Sequence, residues 1–257
     1  MTPAQTLLLL AASLAAGVVN SIAGGGTLLT FPSLLAAGFT PLSANGTNSL
    51  ALVPGSAAAA WGYGNELKGR KKEVLLLGIP SLVGGVVGAW LTRAAGNDLF
   101  AKLVPWLILG ATALFILQEP IKRYVFRSKA KVETASRQRL AFVAVFQLCV
   151  ATYGGFFGAG MGILMLAALG QLGWDNLHEM NALKNIIAAC INATASITFI
   201  VLHQIVWPVA AMMAVGAILG GYAGARLAQR LGQRAVRFIV IGIGLSIAAW
   251  MFARQLG

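Results

Sequence analysis

Long apolar segments alternate with short polar ones along this chain, and most of the apolar segments match the thickness of a membrane. A helix needs about 20 apolar residues to span a hydrocarbon core of about 30 Å. Uninterrupted runs of about that length occupy residues 45–63, 73–93, 100–118, 181–203, 207–228 and 236–253. We therefore predict an all-α polytopic membrane protein.

Two further apolar segments, 7–38 and 140–172, are broken by glycines at 20–27 and 154–162. Glycine costs about 1 kcal/mol relative to alanine inside a helix, so clusters of it indicate a need for bare backbone. We predict that each segment is a hairpin of two half-helices meeting at the glycines. Arms of about 14 residues would reach about 21 Å, too short to cross the core alone.

The sequence contains an internal duplication. The pattern Gly-Gly-x-x-Gly-Ala-x-Leu begins at Gly84 and again at Gly220. The glycine breaks, asparagines and later glycines recur at nearly the same spacing, so we predict two repeats, each a glycine-broken hairpin followed by three transmembrane helices. The repeats are 1–120 and 139–257, joined by a linker at 121–138. Residues 7–16 resemble a signal-peptide core, but we expect them to be retained because the second repeat keeps their counterpart.

Charge orients the predicted repeats. Hydrophobic residues make up 58% of the chain and charged residues 10%, with 19 Lys and Arg against 7 Asp and Glu and a mean hydropathy of +0.79. The basic residues cluster at 68–72, 122–139 and 226–237. Basic loops of membrane proteins lie in the cytoplasm, so this balance does not indicate nucleic-acid binding. We predict inverted repeats in the cell (inner or plasma) membrane, a cytoplasmic linker and external termini, with membrane lipid as the surrounding partner.

Amide side chains recur at matching depths in the two repeats. Asn45 and Asn48 share one helix face, and Asn181 and Asn185 share another. Amides are disfavoured in a membrane interior unless they meet polar groups, so the pairs predict a polar site facing the glycine breaks. The alternative is that they cap helices and hold them together, because Asn is a good helix cap.

Lys184 is a cation within the predicted span 181–203, three residues after Asn181 and next to Asn185. A cation, amides and the N-terminal ends of half-helices together favour an anion site. Alternatively, Lys184 extends to the cytoplasmic interface. The predicted binding residues are Asn20, Gly24, Gly25, Gly26, Thr27, Asn45, Thr47, Asn48, Gly158, Gly160, Gly162, Asn181, Lys184 and Asn185.

The sequence lacks the common motifs of enzyme active sites. The chain has no HExxH or GxSxG motif and no pair of acids within the predicted spans, and Cys149 and Cys190 have no metal-site spacing. We predict neither catalytic residues nor a metal or cofactor. His178 and Glu179 fit either a proton-coupling pair or a plain interfacial loop. Non-transporting assembly or sensing is a further, weaker alternative.

The segments 20–27, 44–49, 154–162 and 181–185 together resemble the TauE/SafE family, the sulfite exporter family of membrane transporters. The resemblance covers essentially the whole chain. It implies two inverted four-element repeats and export of a small sulfur-containing anion such as sulfite or an organosulfonate like sulfoacetate. An anion channel, or a transporter of another small organic anion, is the alternative. Glycines also recur every four residues at Gly84 and Gly88, and at Gly216, Gly220 and Gly224. This spacing lets helices pack closely, either within one chain or between two chains of a homodimer.

Overall fold

The computed structural model describes residues 1–64, 66, 70–127, 137–171, 176–228, 238, 240–246 and 248–249, and within them all regular structure is helical. Its eight helices are α1 (Pro3–Ile22), α2 (Thr27–Ala36), α3 (Pro41–Gly62), α4 (Lys71–Arg127), α5 (Arg137–Phe156), α6 (Met161–Gln171), α7 (Leu177–Val201) and α8 (Trp207–Ala228). Residues 240–246 are helical as well. The all-α prediction is confirmed for this part of the chain.

Among the described residues, four helices are long and apolar enough to cross a membrane: Pro3–Ile22, Lys71–Gln118, Leu177–Val201 and Trp207–Leu227. The second covers 48 residues, more than twice the length that one crossing needs. Gly96, with φ 70° and ψ 174°, breaks the helix there. This break separates the predicted runs 73–93 and 100–118.

Two predicted features fall largely outside the described residues. Positions 128–136 of the basic linker and most of the last predicted run, 236–253, are among them. The backbone of α4 continues to Arg127, so helix extends into the first part of the predicted linker. The basic residues Lys68, Arg230 and Arg234 also lie outside the described part.

Both glycine breaks are present, but the arms they join are unequal. α1 has 20 residues and α2 has 10, while α5 has 20 and α6 has 11. The expectation of two arms of about 14 residues was therefore wrong. α1 starts upstream of its apolar run because Thr2 and Gln5 form a capping box, with their side chains 3.3 Å and 2.8 Å from each other's backbone N–H. A 20-residue helix is about 30 Å long, enough to reach across a hydrocarbon core.

The two halves of the chain exchange their packing partners. α4 of the first half packs along α5 of the second, and α8 of the second half packs along α1 of the first. Glycines make both contacts close. A Cβ on Gly84 would lie 2.5 Å from the Cβ of Ala151, and one on Gly220 would overlap the carbonyl oxygen of Leu14. The glycines that open the duplicated sequence pattern thus make equivalent contacts in the structure, each with the opposite half.

This packing predicts opposite outcomes for two glycines of the same helix. A Cβ on Gly88 would overlap the carbonyl oxygen of Thr152, whereas one on Gly110 would have no neighbour within 4 Å. We expect Gly88→Ala to cost at least about 1–3 kcal/mol, because backbone must shift to admit the methyl group. Gly110→Ala should leave stability unchanged or raise it. Thermal unfolding in detergent measures both, and equal melting temperatures would contradict the packing.

Candidate functional site

The two glycine breaks share a backbone conformation. Gly24 and Gly158, which occupy matching positions of the duplicated sequence, each have φ 80°, in the left-handed region that glycine adopts without strain. The N–H of Gly24 bonds to the carbonyl of Val19, and that of Gly158 to the carbonyl of Tyr153, both at 3.1 Å. α1 and α5 therefore end in the same way in the two halves.

The breaks also touch each other. A Cβ on Gly24 would lie 2.5 Å from the Cα of Gly162, and one on Gly162 would lie 2.6 Å from the Cα of Gly24. No side chain fits at either position. The two broken segments therefore meet backbone to backbone, and the helix ends around them come together within one region.

Side chains of α7 hold the C-terminal end of α1. Lys184 Nζ donates to the carbonyl oxygens of Asn20 at 2.9 Å and Ser21 at 3.1 Å, and to Asn181 Oδ1 at 3.0 Å. Asn185 Nδ2 lies 3.2 Å from the Ser21 carbonyl oxygen. A cation is favourable there because a helix carries partial negative charge at its C-terminus. Lys184 is 1% exposed, so its ammonium does not extend to the surface, contrary to the interfacial alternative.

The end of α5 is held by neutral side chains. Asn45 Nδ2 of α3 and Thr92 Oγ1 of α4 each lie 2.9 Å from the Phe156 carbonyl oxygen. Thr47 occupies the position of the first repeat that matches Lys184 in the second, and its hydroxyl accepts a hydrogen bond from the N–H of Val206 at 3.1 Å. Helix ends related by the duplication therefore differ by one positive charge.

Asn20 and Asn48 organise the start of α2. Asn20 Oδ1 accepts the N–H of Gly26 at 2.8 Å. Asn48 Nδ2 lies 3.4 Å from Thr27 Oγ1, and Asn48 Oδ1 accepts the hydroxyl of Thr30. The first turns of α2 and α6 are closed by carbonyl oxygens of the breaks. The N–H groups of Leu28 and Leu29 bond to Gly25 and Gly26 at 3.0 Å and 2.9 Å, and those of Met161 and Ile163 bond to Gly158 and Gly160 at 3.3 Å and 3.0 Å.

The predicted residues form two groups at the breaks. Around the first break the structure brings together Asn20, Gly24, Gly25, Gly26, Thr27, Asn48, Asn181, Lys184 and Asn185; Asn45, Gly158, Gly160 and Gly162 belong to the second. Thr47 instead contacts the segment between α7 and α8. The amides do not cap their own helices, since Thr40 and Asn176 cap α3 and α7. Asn45 and Asn185 nevertheless bind the ends of other helices, in the opposite half, so the alternative in which amides cap helices and hold them together is supported for these two residues.

Sequence reasoning missed three polar contributors. Tyr63 donates its hydroxyl to the Ser21 carbonyl oxygen at 3.0 Å, Thr92 binds the end of α5, and Thr30 binds Asn48. Thr30 lies three residues after Thr27 on one helix face, which was a usable signal. No local pattern marks Tyr63 or Thr92, because each reaches its acceptor only through packing between distant helices.

An aromatic cluster next to the second break was also missed. Phe31 lies 5.3 Å from Phe157 and 6.2 Å from Phe100, measured between ring centroids, and Phe156 lies 5.4 Å from Phe100, all edge to face. Phe31 and Phe100 are fully buried. The second break is therefore closed by apolar side chains on this flank.

The candidate site is closed in this structure. Asn45, Asn48, Asn181 and Asn185 are no more than 2% exposed. Access to these buried groups therefore requires the broken segments or their neighbours to move.

The predicted pair His178 and Glu179 is split between two contacts. Glu179 forms an ion pair with Arg70 at 2.8 Å. The ring of His178 lies 6.2 Å from that of Tyr63.

Comparison with known proteins gives a consistent assignment. The family model described as "Sulfite exporter TauE/SafE" matches residues 9–251. A probable membrane transporter protein, ORF9, of Sinorhizobium sp is 28% identical over 95% of this chain and 91% of its own length. The probable membrane transporter YfcA of Escherichia coli K12 is 30% identical, with 91% and 84% covered, and one from Haemophilus influenzae is 31% identical, with 93% and 91% covered. No solved structure gives a significant match.

The contacts of Lys184 predict a large stability effect. Lys184→Met would leave the carbonyl of Asn20 and the amide oxygen of Asn181 without this donor inside the protein. We expect a loss of about 3 kcal/mol, a fall of several degrees in melting temperature. Lys102→Met is the matched control, because Lys102 is exposed. Equal melting temperatures for the two variants, measured in detergent, would show that the ammonium does not support the end of α1.

Proposed function

Because this chain belongs to the sulfite exporter TauE/SafE family of membrane transporters, we propose that it is a secondary transporter that exports a small sulfur-containing anion. Sulfite and organosulfonates such as sulfoacetate are the candidate substrates. The observation that carries this proposal is a buried lysine among amides where two broken helices meet. Lys184 is the only charged side chain among the buried residues that the structure describes.

The chemistry around Lys184 suits an anion of sulfite or sulfonate type. Its oxygens are acceptors, and the region supplies an ammonium and amide N–H groups as donors. At present Lys184 Nζ donates to Asn20, Ser21 and Asn181. An anion that binds the ammonium must replace at least one of these oxygens. Replacement of the Asn20 or Ser21 carbonyl would loosen the hold of α7 on the end of α1.

That exchange supports alternating access around one site. The buried amides and the contact between Gly24 and Gly162 fit a closed intermediate better than an open anion channel, the runner-up. We propose further that the α1–α2 and α5–α6 hairpins enter the cell membrane from opposite sides, with basic segments cytoplasmic and termini external. Equivalent helix ends and exchanged packing at matching positions of the two halves support such an inverted repeat.

Thermal stabilisation by substrate provides the first test. The purified protein would be melted with sulfite, thiosulfate, sulfoacetate, taurine, sulfate or acetate, all added as salts of one cation. A ligand at about 100 times its dissociation constant adds about 2.7 kcal/mol to the free energy of unfolding. We expect sulfite or a sulfonate to stabilise the protein and acetate to have no effect. No shift with any sulfur anion would contradict the proposed substrate class.

A pair of variants locates the binding. Asn48→Ala should reduce anion stabilisation at least tenfold in apparent affinity. Gln147→Ala is the control, because Gln147 is also buried but binds Ser81 at 2.9 Å between α4 and α5. Equal losses in both variants would argue against this site. In proteoliposomes, saturable flux with counterflow distinguishes a transporter from a channel.

A further inference from the structure

The end of α5 contains a buried acceptor without a donor. Asn45 is 1% exposed, and its Oδ1 has no hydrogen-bond partner. Leaving such an atom unpaired inside a protein costs about 1–3 kcal/mol. Near the end of α1, by contrast, the amide oxygen Asn181 Oδ1 is 3.0 Å from Lys184 Nζ. The end of α1 therefore has a lysine ammonium beside it, whereas the end of α5 has a buried amide oxygen without a donor.

The orientation of the Asn45 amide follows from its neighbour. The Phe156 carbonyl oxygen is only an acceptor and lies 2.9 Å from Asn45 Nδ2. Turning the amide over would place two oxygens against each other. The unpaired atom is therefore an acceptor, which attracts a cation or a hydrogen-bond donor and repels an anion.

No formal positive charge is observed at this helix end, where the Phe156 carbonyl accepts only from neutral donors. The partial negative charge of the α5 C-terminus lies at Phe156. Asn45 Nδ2 and Thr92 Oγ1 donate to that carbonyl, while the oxygen of the same amide, Asn45 Oδ1, has no partner. Of the described residues, none with a formal charge hydrogen-bonds to Asn45 or Phe156. Thr47, at the position equivalent to Lys184, adds no charge and is engaged by Val206.

We propose that the C-terminal end of α5 is a binding site for a monovalent cation, with Asn45 Oδ1, the Phe156 carbonyl and Thr92 Oγ1 as ligands. With the ion bound, the Thr92 hydroxyl donates its proton to its other acceptor, the Gly88 carbonyl at 3.0 Å, instead of to Phe156. Neutral oxygens favour a monovalent ion, since Mg²⁺ and Ca²⁺ sites in proteins rely on carboxylates. Carbonyls at the C-terminal ends of broken helices bind Na⁺ in membrane transporters. The bound ion supplies at the C-terminal end of α5 the positive charge that Lys184 supplies at the C-terminal end of α1. A role in driving transport rests on the proposed function, whereas the site itself does not.

Sodium-dependent stability tests the site directly. The purified protein would be melted without any sulfur anion, while NaCl replaces choline chloride at constant total concentration. We expect a melting temperature that rises with Na⁺ and then saturates. The ²²Na⁺ bound to the wild-type protein should saturate over the same range. Identical melting curves in the two salts, without bound ²²Na⁺, would overturn the proposal and assign Asn45 Oδ1 to a water molecule.

Variants separate the site from general salt effects. Asn45→Ala should abolish the sodium-dependent shift and ²²Na⁺ binding. Ser56→Ala should leave both unchanged, because Ser56 is a buried residue of the same helix whose Oγ is also unpaired. If Asn45→Ala does not elute as a folded protein, Thr92→Val replaces it and should weaken Na⁺ binding severalfold. A sodium response that persists in the folded variant refutes the assignment.

The two proposals can fail independently. A protein that is stabilised by sulfite or a sulfonate but indifferent to sodium retains the anion site and loses the cation site. A protein that binds ²²Na⁺ but ignores every sulfur anion shows the reverse. The first experiment varies the anion with one fixed cation, and the second varies sodium in the absence of any sulfur anion.

Discussion

Helix ends inside an apolar protein determine much of this architecture. The last four carbonyl groups of a helix have no partners within it, and a membrane offers no water to supply them. α1 and α5 both end at buried glycine breaks, so other segments must provide the donors. Most of these donors come from the opposite half: Lys184 and Asn185 of α7 bind α1, while Asn45 of α3 binds α5. Tyr63, in the same half as α1, adds one more bond to the Ser21 carbonyl. Neither half can satisfy its own broken helix with these contacts.

Close glycine packing makes these crossed contacts feasible. An amide side chain is short, so it reaches a backbone carbonyl on another helix only when the two backbones approach closely. The glycines of α4 and α8 allow that approach to α5 and α1, and Gly24 allows the two breaks to meet. Through the same packing and hydrogen bonds, each broken segment is in contact with the opposite half. A broken segment cannot shift without changing contacts on the other half, so motion at one break is transmitted to the other.

The sequence pattern predicted the local features of this architecture, but not the contacts between residues far apart in the chain. Glycine breaks, duplicated spacing and the matching depth of Asn48 and Asn185 are properties of linear pattern, and they indicated both hairpins and the residues near them. The arm lengths were wrong because a capping box starts α1 before its apolar run. Which donor meets which carbonyl depends on contacts between residues far apart in the chain, such as Asn45 with Phe156. Composition and periodicity carry no information about such pairs.

The choice of partners for Lys184 also has a functional consequence. A buried ammonium paired with a carboxylate would be neutralised by a full charge, and an incoming anion would have to displace that charge. Lys184 is held by carbonyl and amide oxygens, which carry only partial charges. These acceptors satisfy the ammonium without neutralising it. On the proposed function, an anion can therefore replace a carbonyl at modest net cost, and the cation that stabilises the closed helix end is also the group that attracts the substrate.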